Sequence, residues 1–247
     1  MVHVKSEKEI DLMREPCKIV RDTLNFVGSK ICAGMSTKEV DELVERYIRS
    51  SGAYPSCLGY GGFPASACIS VNEMVVHGIP GDRIIQDGDI VSVDVCAYKN
   101  GYHGDACRTF TIGKVSAEVE KLVKVTEECF YKGIEGLKAG TPLFDIGYKV
   151  QKHAEAHGYG VIRSYTGHGI GREMHEDPSV PNYGKLGTGM RLKAGTVICV
   201  EPMIAMGTWK VKLLPDGWGA VTVDGKPAAH YENTLVVRND GVEILTL

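Results

Sequence analysis

Two aspartates flank a turn signal in the first half of the sequence. Asp94 and Asp105 stand on either side of Lys99-Asn100-Gly101. Whether a hairpin pairs residue 97 or residue 99 with residue 102, both side chains lie on one face of the sheet, as opposite or diagonal neighbours. Two carboxylates this close repel each other, so either one is protonated or a cation neutralises the pair. A bound metal ion is the simpler solution.

Three residues of the second half complete a candidate ligand set. Glu201 ends a strand segment, Glu232 lies in a strand run, and His168 lies among glycines that are expected to leave its ring accessible. Taken singly, each is more typical of a turn, an edge or a loop. Together, four carboxylates and one imidazole favour a hard or borderline ion such as Mn(II), Fe(II) or Co(II), and Zn(II) also fits.

An internal repeat relates the two halves of the chain. Residues 85–94 match residues 192–201 at an offset of 107, and a carboxylate ends each segment, so Asp94 and Glu201 are equivalent positions. A chance match of such short strings is the alternative, and helix-ending glycines at equivalent positions argue against it. Glycine occupies the position that matches His168, so the predicted site is asymmetric.

Hydrophobic periodicity and turn signals predict two helix pairs and two sets of strands. Helices are predicted from Ser6 to Gly34, Ser36 to Gly52, Ser116 to Gly140 and Thr141 to Gly158, with strands at 67–72, 75–79, 90–97, 103–112 and again from about 161. The order favours an α/β (α+β) fold in which the helices cover the outer face of one curved antiparallel sheet. We expect a single domain, 1–247, with halves of about 1–115 and 116–247.

Composition excludes several function classes. A net charge of -3 creates no strong field that would draw the molecule to nucleic acid or to an anionic membrane. The N-terminus lacks the apolar stretch of a signal peptide, and no later run approaches the ~20 apolar residues that span a bilayer. Eight cysteines are scattered without a C-x-x-C pair, which is typical of free thiols in a reducing compartment. We therefore expect a cytoplasmic monomer.

Seven strings of the sequence are similar to those of a known enzyme family. They are HGIP (77–80), DGDIVSVDV (87–95), GYHGD (101–105), GHGIG (167–171), HEDP (175–178), EP (201–202) and YENT (231–234). In this order, and over essentially the full chain, they resemble the type I methionine aminopeptidases in their minimal, bacterial-style form. The resemblance implies the pita-bread fold and the metal-dependent removal of the initiator methionine from nascent proteins and peptides.

The resemblance also implies a role for each site residue. The residues that would bind two divalent metal ions are Asp94, Asp105, His168, Glu201 and Glu232. Asp105 and Glu232 would bridge the ions, His77 and His175 would contact the peptide, and Glu201 would act as general base. Two ions about 3.5 to 4 Å apart lower the pKa of a shared water, and the resulting hydroxide would attack the first peptide bond.

The residues implied to line the substrate pocket are mostly apolar or polarisable, which suits an unbranched thioether. They are Cys57, Tyr60, Phe63, Cys68, His77, Tyr165, Met174 and Trp218. The sequence departs from many bacterial relatives at Gly61, where histidine is frequent, and at Met174, where phenylalanine is expected. A transient ribosome contact is a further expectation, through Lys210 and Lys212 beside Trp209.

Three other functions fit parts of the sequence. An aminopeptidase P or prolidase-like enzyme shares the fold but usually carries an additional N-terminal domain, for which a helix starting at Ser6 leaves no room. A catalytically inactive relative that binds ribosomes, chromatin or RNA typically loses ligands, whereas all five are present. A nucleophilic Cys96 or Cys107 is disfavoured because four acidic neighbours raise the pKa of a thiol.

Overall fold

In a computed structural model, which describes residues 2–247, the chain forms four α-helices and fifteen β-strands. The helices are α1 (Glu7–Gly28), α2 (Thr37–Ser50), α3 (Ala117–Ile134) and α4 (Phe144–Ala156). The strands are β1 (Tyr54–Pro55), β2 (Cys68–Val71), β3 (Met74–Val76), β4 (Ile90–Lys99), β5 (Tyr102–Thr111), β6 (Gly160–Val161), β7 (Gly167–Gly169), β8 (Glu176–Val180), β9 (Val197–Val200), β10 (Met203–Ala205), β11 (Val211–Leu213), β12 (Ala220–Thr222), β13 (Ala228–His230), β14 (Asn233–Val237) and β15 (Val242–Ile244).

Three helices begin where the sequence predicts. Ser6 and Ser36 each accept a hydrogen bond from the backbone of the third helical residue, whose glutamate side chain accepts one in return, so both capping boxes are formed. Ser116 caps α3 in the same way without the reciprocal bond. These helix starts are predictable from the sequence because a cap depends only on residues three positions apart.

The predicted helix ends are less accurate. α1 ends at Gly28 and α3 at Ile134, each well before the predicted terminal glycine. α4 begins at Phe144 because Pro142 forms an isolated β-bridge rather than a first helical turn. The apolar period outlasts each helix because residues beyond its end, such as Ile31, still pack on the core.

The strands form four antiparallel sheets. The two largest are β1-β4-β2, with β5 also paired to β4, and β15-β14-β9-β7-β8, and the smaller ones are β13-β10-β6 and β11-β12-β3. The large sheets are joined by a reciprocal backbone pair, in which the N–H of Cys107 donates to the carbonyl of Glu232 at 3.4 Å and the N–H of Glu232 donates to the carbonyl of Cys107 at 3.1 Å. The sequence predicts one continuous curved sheet. In the structure the strands instead form four separate sheets, and this backbone pair joins the two largest.

This backbone pair lies where the two repeats meet. Cys107 is directly opposite Asp94 in the hairpin β4–β5. One step beyond the last pair of the β9–β14 ladder, Glu232 is opposite Glu201. Because Asp94 and Glu201 are equivalent in the repeat, Cys107 and Glu232 are equivalent as well. Their mutual hydrogen bonds therefore lie on the pseudo-twofold axis.

The helices cover one face of the strands and leave the other to the candidate ligands. Val93 and Val95 of β4 pack with Val20 and Leu24 of α1 in one buried cluster. Since side chains alternate along a strand, Asp94 points to the opposite face. In the second half, α3 and α4 pack in buried clusters of their own. Within residues 2–247, no helix combines the length and apolar character needed to cross a membrane.

Gly104→Ala is expected to lower the free energy of unfolding by about 1 to 3 kcal/mol, because the added methyl group overlaps α1. A Cβ at Gly104 lies 2.6 Å from the backbone nitrogen of Cys17 and 2.8 Å from its Cα. Urea-induced unfolding measures the change. Gly241→Ala is the matched control, because no atom of the described chain outside residues 240–242 lies within 4 Å of its Cβ. Equal midpoints for Gly104→Ala and wild type would mean that α1 does not lie this close to β5.

Candidate metal centre

Hairpin β4–β5 carries two carboxylates on one face. Asp94 lies opposite Cys107 and Asp105 lies opposite Cys96, so the aspartates are diagonal neighbours, as the turn predicts. The hydroxyl of Thr234 on β14 accepts a hydrogen bond from the backbone N–H of Asp105 at 3.1 Å and donates to its carbonyl at 2.8 Å. A strand of the second half thus positions a carboxylate of the first half.

His168 lies on β7 between two glycines that close packing requires. A Cβ at Gly167 would come within 2.3 Å of the carbonyl oxygen of Cys199, and one at Gly169 within 2.1 Å of that of Asp177. The expectation that these glycines leave the ring accessible is wrong, because they admit neighbouring backbone and His168 is buried. Nδ1 of His168 bonds the Gly169 carbonyl at 2.9 Å, so Nδ1 carries the proton and Nε2 presents its lone pair.

Glu201 and Glu232 enter the same cavity from the adjoining ends of β9 and β14. Nε2 of His168 lies 3.6 Å from Oε1 of Glu201 and 3.8 Å from Oδ2 of Asp105. The residues whose ligand atoms all lie within 4.8 Å of one another are Asp105, His168, Cys199 and Glu232. Asp94 and Glu201 line the cavity beside this group. The structure therefore brings all five predicted ligands together.

Without a cation, the four carboxyl groups cannot all be ionised at neutral pH. Burial raises the pKa of Asp94 to about 7. Burial, and then the charge of Asp94, raise the pKa of Asp105 well above its usual value. Burial, and then the charges of Asp94 and Asp105, likewise raise the pKa of Glu201. Burial, and then the nearby His175, lower the pKa of His168 to about 3, which keeps its imidazole neutral. The acidic cluster thus needs either protons or a cation, as its sequence spacing predicts.

The donor set fits divalent metal ions. Oδ1 of Asp105 and Oε1 of Glu232 are buried and have no hydrogen-bond partner among residues 2–247. Burying such an oxygen unpaired is costly, so a ligand for it is expected. Carboxylate oxygens with one neutral imidazole are typical donors to hard or borderline divalent ions. A cation held between these side chains would satisfy both oxygens and replace the protons.

Two further histidines line the cavity. The ring of His175 has its centroid 4.2 Å from that of His168, and its Nδ1 lies 2.9 Å from the hydroxyl of Tyr60. His77 packs edge-to-face on Tyr165 with centroids 5.2 Å apart, and its backbone is left-handed with a φ of 58°. Backbone strain in a residue other than glycine is typical of functional sites. The conformation of His77 therefore favours a functional over a purely structural role.

The loop that carries His175 is anchored by the beginning of the chain. The ammonium of Lys5, itself buried, donates to Oε2 of Glu176 at 2.6 Å, while the backbone N–H of Arg172 donates to Oε1 at 2.8 Å. The backbone N–H of Lys5 donates in turn to the carbonyl of Gly195 at 2.8 Å. One buried ion pair thus ties the residue after His175, which begins β8, to the segment that carries Lys5.

Apolar and sulfur-containing side chains form the rest of the cavity wall. The predicted pocket residues that line it are Cys57, Tyr60, Phe63, Cys68, His77, Met174 and Trp218. Tyr165, the remaining predicted residue, contacts the ring of His77 instead of the cavity. Trp218 packs edge-to-face on Phe63 at 5.1 Å, and a Cβ at Gly61 would lie 3.3 Å from its indole. Gly61 is also left-handed, with a φ of 56°, so a histidine at this position would strain the backbone and press on the indole.

Two residues close to the ligands escape prediction from the sequence. Cys199 belongs to the tight ligand group, and buried His230 has its Nε2 3.7 Å from Oε2 of Glu201. Cys199 lies two residues before Glu201, and His230 lies two residues before Glu232. If each pair lies in one extended run, as the sequence suggests, strand alternation predicts that each is on the face of its glutamate. The alternation rule that pairs the two aspartates would have found both.

The thiols beside the site are poorly suited to nucleophilic attack. Burial, and then the charge of Asp105, raise the pKa of Cys96 well above its usual value, and burial with the charge of Asp94 does the same for Cys107. A nucleophilic cysteine needs the opposite shift. All eight cysteines are free thiols, as predicted. The electrostatics therefore argue against cysteine catalysis.

Comparison with known proteins supports a peptidase site. The family model described as metallopeptidase family M24 matches residues 11–239. A methionine aminopeptidase from Clostridium perfringens is 51% identical over 247 residues, which cover 100% of this chain and 99% of that protein. The crystal structure of methionine aminopeptidase from Rickettsia prowazekii matches with a TM-score of 0.98 and 42% identity over 100% of both chains. These matches confirm the predicted pita-bread fold.

A prolidase from Pyrococcus furiosus shares the fold at greater distance. It matches with a TM-score of 0.80 and 23% identity, and the match covers 99% of this chain but 65% of the prolidase. Identity this low supports the fold alone. The full-length matches to methionine aminopeptidases therefore carry more weight for function than the partial match to the prolidase.

Metal binding is expected to release protons and to stabilise the protein more at neutral pH than at about pH 5. The folded-state pKa of Asp94 is raised from 3.8 to about 7, so its contribution to metal-free stability is full below 3.8 and is lost as the pH rises through about 7. A bound cation removes this loss because it replaces the proton. Thermal unfolding with and without Mn(II) measures the gain.

Calorimetry in two buffers of different ionisation enthalpy counts the protons released, with chelator-treated protein titrated without metal as the blank. An equal Mn(II) stabilisation at both pH values, with no proton release, would contradict the protonated metal-free state.

Proposed function

We propose that this chain, which belongs to metallopeptidase family M24, is a methionyl aminopeptidase that removes the N-terminal methionine from nascent proteins and peptides. The observation that carries the proposal is a single cavity with two kinds of wall. One wall holds four carboxylates and a neutral imidazole, and the other is apolar and sulfur-rich. Such a cavity can hold metal ions beside a thioether side chain.

The proposed metal ligands are the five residues that converge in the cavity, with Asp105 and Glu232 shared between two ions. When bound, two divalent ions would supply an activated water near neutral pH and a Lewis acid for the scissile carbonyl. The metals we propose are Mn(II), Fe(II) or Co(II), with Zn(II) as a further candidate. The unpartnered oxygens of Asp105 and Glu232 support the assignment of these two residues as the shared ligands.

Glu201 is the general base that we assign. Its two carboxylate oxygens face Nε2 of His168 at 3.6 Å and Nε2 of His230 at 3.7 Å, both beyond hydrogen-bond distance. Burial, and then the nearby His77, lower the pKa of His230 to about 3, so His230 adds no positive charge beside the base. A carboxylate in this setting can accept the proton of the attacking water and pass it to the leaving amine.

His175 is the hydrogen-bond donor that we assign to the carbonyl oxygen. Burial lowers the pKa of His175, so its ring is neutral at pH 7. Nδ1 lies 2.9 Å from the hydroxyl of Tyr60, and we assign the tautomer in which the hydroxyl donates to Nδ1 and the proton is on Nε2. That N–H can donate to the oxyanion as negative charge develops in the transition state.

His77 is the residue that we assign to orienting the peptide nitrogen. Contacts with Tyr165 and Trp218, at ring-centroid distances of 5.2 and 6.4 Å, hold its ring edge-to-face between them. Burial, and then His175, lower the pKa of His77, which also keeps it neutral. A neutral ring in a fixed orientation can bond a peptide group without the cost of burying a charge.

We further propose how the protein works in the cell. Residues 1–247 act as one catalytic domain and as a monomer in the cytoplasm, with halves 1–115 and 116–247 both supplying ligands. A transient ribosome contact near Trp209 fits the co-translational removal of methionine. The guanidinium of Arg163 lies 4.7 Å from the Trp209 ring, which adds a third positive charge beside Lys210 and Lys212.

Chelator-stripped protein reloaded with Mn(II) or Co(II) is expected to release methionine from Met-Ala-Ser and to leave Ala-Pro-Ala intact. The apolar, sulfur-lined wall suits the methionine side chain, and the carboxylate wall supplies the metals. Protein kept in EDTA is the control. Cleavage of Ala-Pro-Ala instead would indicate an enzyme of the aminopeptidase P type. Failure to cleave either peptide with two metals bound would indicate a binding protein.

His175→Ala is expected to keep both metal ions and to lower kcat about 100- to 1,000-fold, because it removes a donor that acts on the transition state. Metal content and steady-state kinetics on Met-Ala-Ser measure the two effects. His3→Ala is the control, since His3 is an exposed histidine whose ring contacts Glu9 rather than the cavity residues. Unchanged turnover in metal-loaded His175→Ala protein would remove this residue from the mechanism.

A further inference from the structure

A second group of metal-ligand side chains lies on the outer helix pair. Glu128 of α3, His153 of α4 and His157, which caps the C-terminal end of α4, each offer a ligand atom, and these atoms all lie within 4.8 Å of one another. All three residues are partly exposed, unlike the buried ligands of the catalytic cavity. The proposed reaction uses none of them. We call them the α3–α4 ligand group.

We infer that the α3–α4 ligand group binds a Zn(II) ion that links the two helices, separately from the catalytic metals. Nε2 of His153 lies 2.9 Å from Oε2 of Glu128. Two ligand atoms on a tetrahedral zinc ion, each bonded at about 2.0 to 2.1 Å, are about 3.3 Å apart. A change of a few tenths of an ångström therefore converts this hydrogen bond into one edge of a coordination tetrahedron.

His157 supplies the third ligand from one helical turn further along. His157 caps the C-terminal end of α4, four residues after His153, and the rings of His153 and His157 have centroids 4.7 Å apart. Nδ1 of His157 bonds the backbone carbonyl of His153 at 2.9 Å. Because a carbonyl only accepts, this bond puts the proton on Nδ1 and leaves Nε2 of His157 free to bind a metal.

Core contacts beneath the group hold the helices in register. A Cβ at Gly133 would lie 2.8 Å from Cγ2 of Val150, so glycine at this position lets α4 approach α3 closely. The thiol of Cys129, next to Glu128, donates to the carbonyl of Val150 at 3.8 Å. Two of the three ligands are thus carried by packed helices, and the third caps the end of one of them, which favours a preformed site.

The corresponding helix pair of the first half has no such group. At the repeat offset of 106, Glu128, His153 and His157 correspond to Asp22, Tyr47 and Ser51. The ring of Tyr47 packs on Phe26 with centroids 5.1 Å apart, so this position serves packing. Of the three corresponding residues in the first half, only Asp22 carries a side chain of a common metal-ligand type. Helix packing in this fold therefore does not require the histidine pair.

The ligand types select the ion. Two imidazoles and one carboxylate favour Zn(II), and also Ni(II) or Cu(II), over the oxygen-preferring Mn(II). The nearest competitor for Glu128 is Lys124, whose ammonium lies 3.9 Å away on a largely exposed side chain. An exposed ion pair of this kind contributes little, so a metal ion displaces it at small cost.

The number of zinc ions that the protein retains after dialysis tests the inference. Wild-type protein and the His153→Ala/His157→Ala double variant are dialysed against the same free Zn(II) concentration, and bound metal is measured by elemental analysis. The double variant is expected to lose one equivalent of Zn(II), whereas Mn(II) content stays the same in both. Zn(II) is also expected to raise the Tm of wild type more than that of the double variant.

Two further variants make the result decisive. Glu128→Gln keeps the shape of the side chain but removes the anionic ligand, and it is expected to bind the additional Zn(II) more weakly with unchanged circular dichroism. His3→Ala, which removes an exposed histidine elsewhere, is expected to retain every equivalent. Equal Zn(II) content in wild type, the double variant and Glu128→Gln would overturn the site. Hydrolysis of Met-Ala-Ser by Mn(II)-loaded double variant is expected to match wild type, so the test is independent of the aminopeptidase assignment.

Discussion

Repulsion among four carboxylates is the constraint on which the rest of the structure depends. Asp94 and Asp105 cannot separate because a continuous ladder of pairs fixes both in hairpin β4–β5. Glu201 is held by its carbonyl, which accepts a hydrogen bond from buried Asn182 at 2.9 Å, and Glu232 by its backbone pair with Cys107. The charges can therefore be relieved only by protons or by cations. Contacts far from the site, between helices and sheets, offset the cost of keeping these groups together.

The symmetry of the fold explains how one cavity obtains ligands from distant parts of the chain. Asp94 and Glu201 occupy equivalent positions, and Glu232 meets its own equivalent, Cys107, across the axis. His168 breaks the symmetry because glycine occupies the matching position in the first half. The imidazole therefore lies on one side of the site only, so the two ions that we propose would have chemically different ligands.

The extent of prediction from sequence depends on how far apart the interacting residues are. Spacing across one turn was sufficient to place Asp94 and Asp105 on one face, and capping residues marked the helix starts. The role of the glycines around His168 is not predictable from the sequence. They allow the backbone of β8 and β9 to pack closely against β7, and no local sequence pattern indicates this contact. The positions of His77 and His175 beside the ligands also depend on contacts between distant parts of the chain. Only the family resemblance therefore predicts that they belong to the site. Cys199 and His230 lay within reach of strand alternation, although their types suggested core packing.

The ion pair of Lys5 and Glu176 has a practical consequence for handling the protein. Val4 pairs with Thr196 in a β-bridge, and the next residue carries a buried ammonium that supports the loop of His175. A purification tag fused closely ahead of Val4, or a shortened clone that omits Lys5, therefore disturbs a segment in contact with the active-site loop and leaves a carboxylate without its cation.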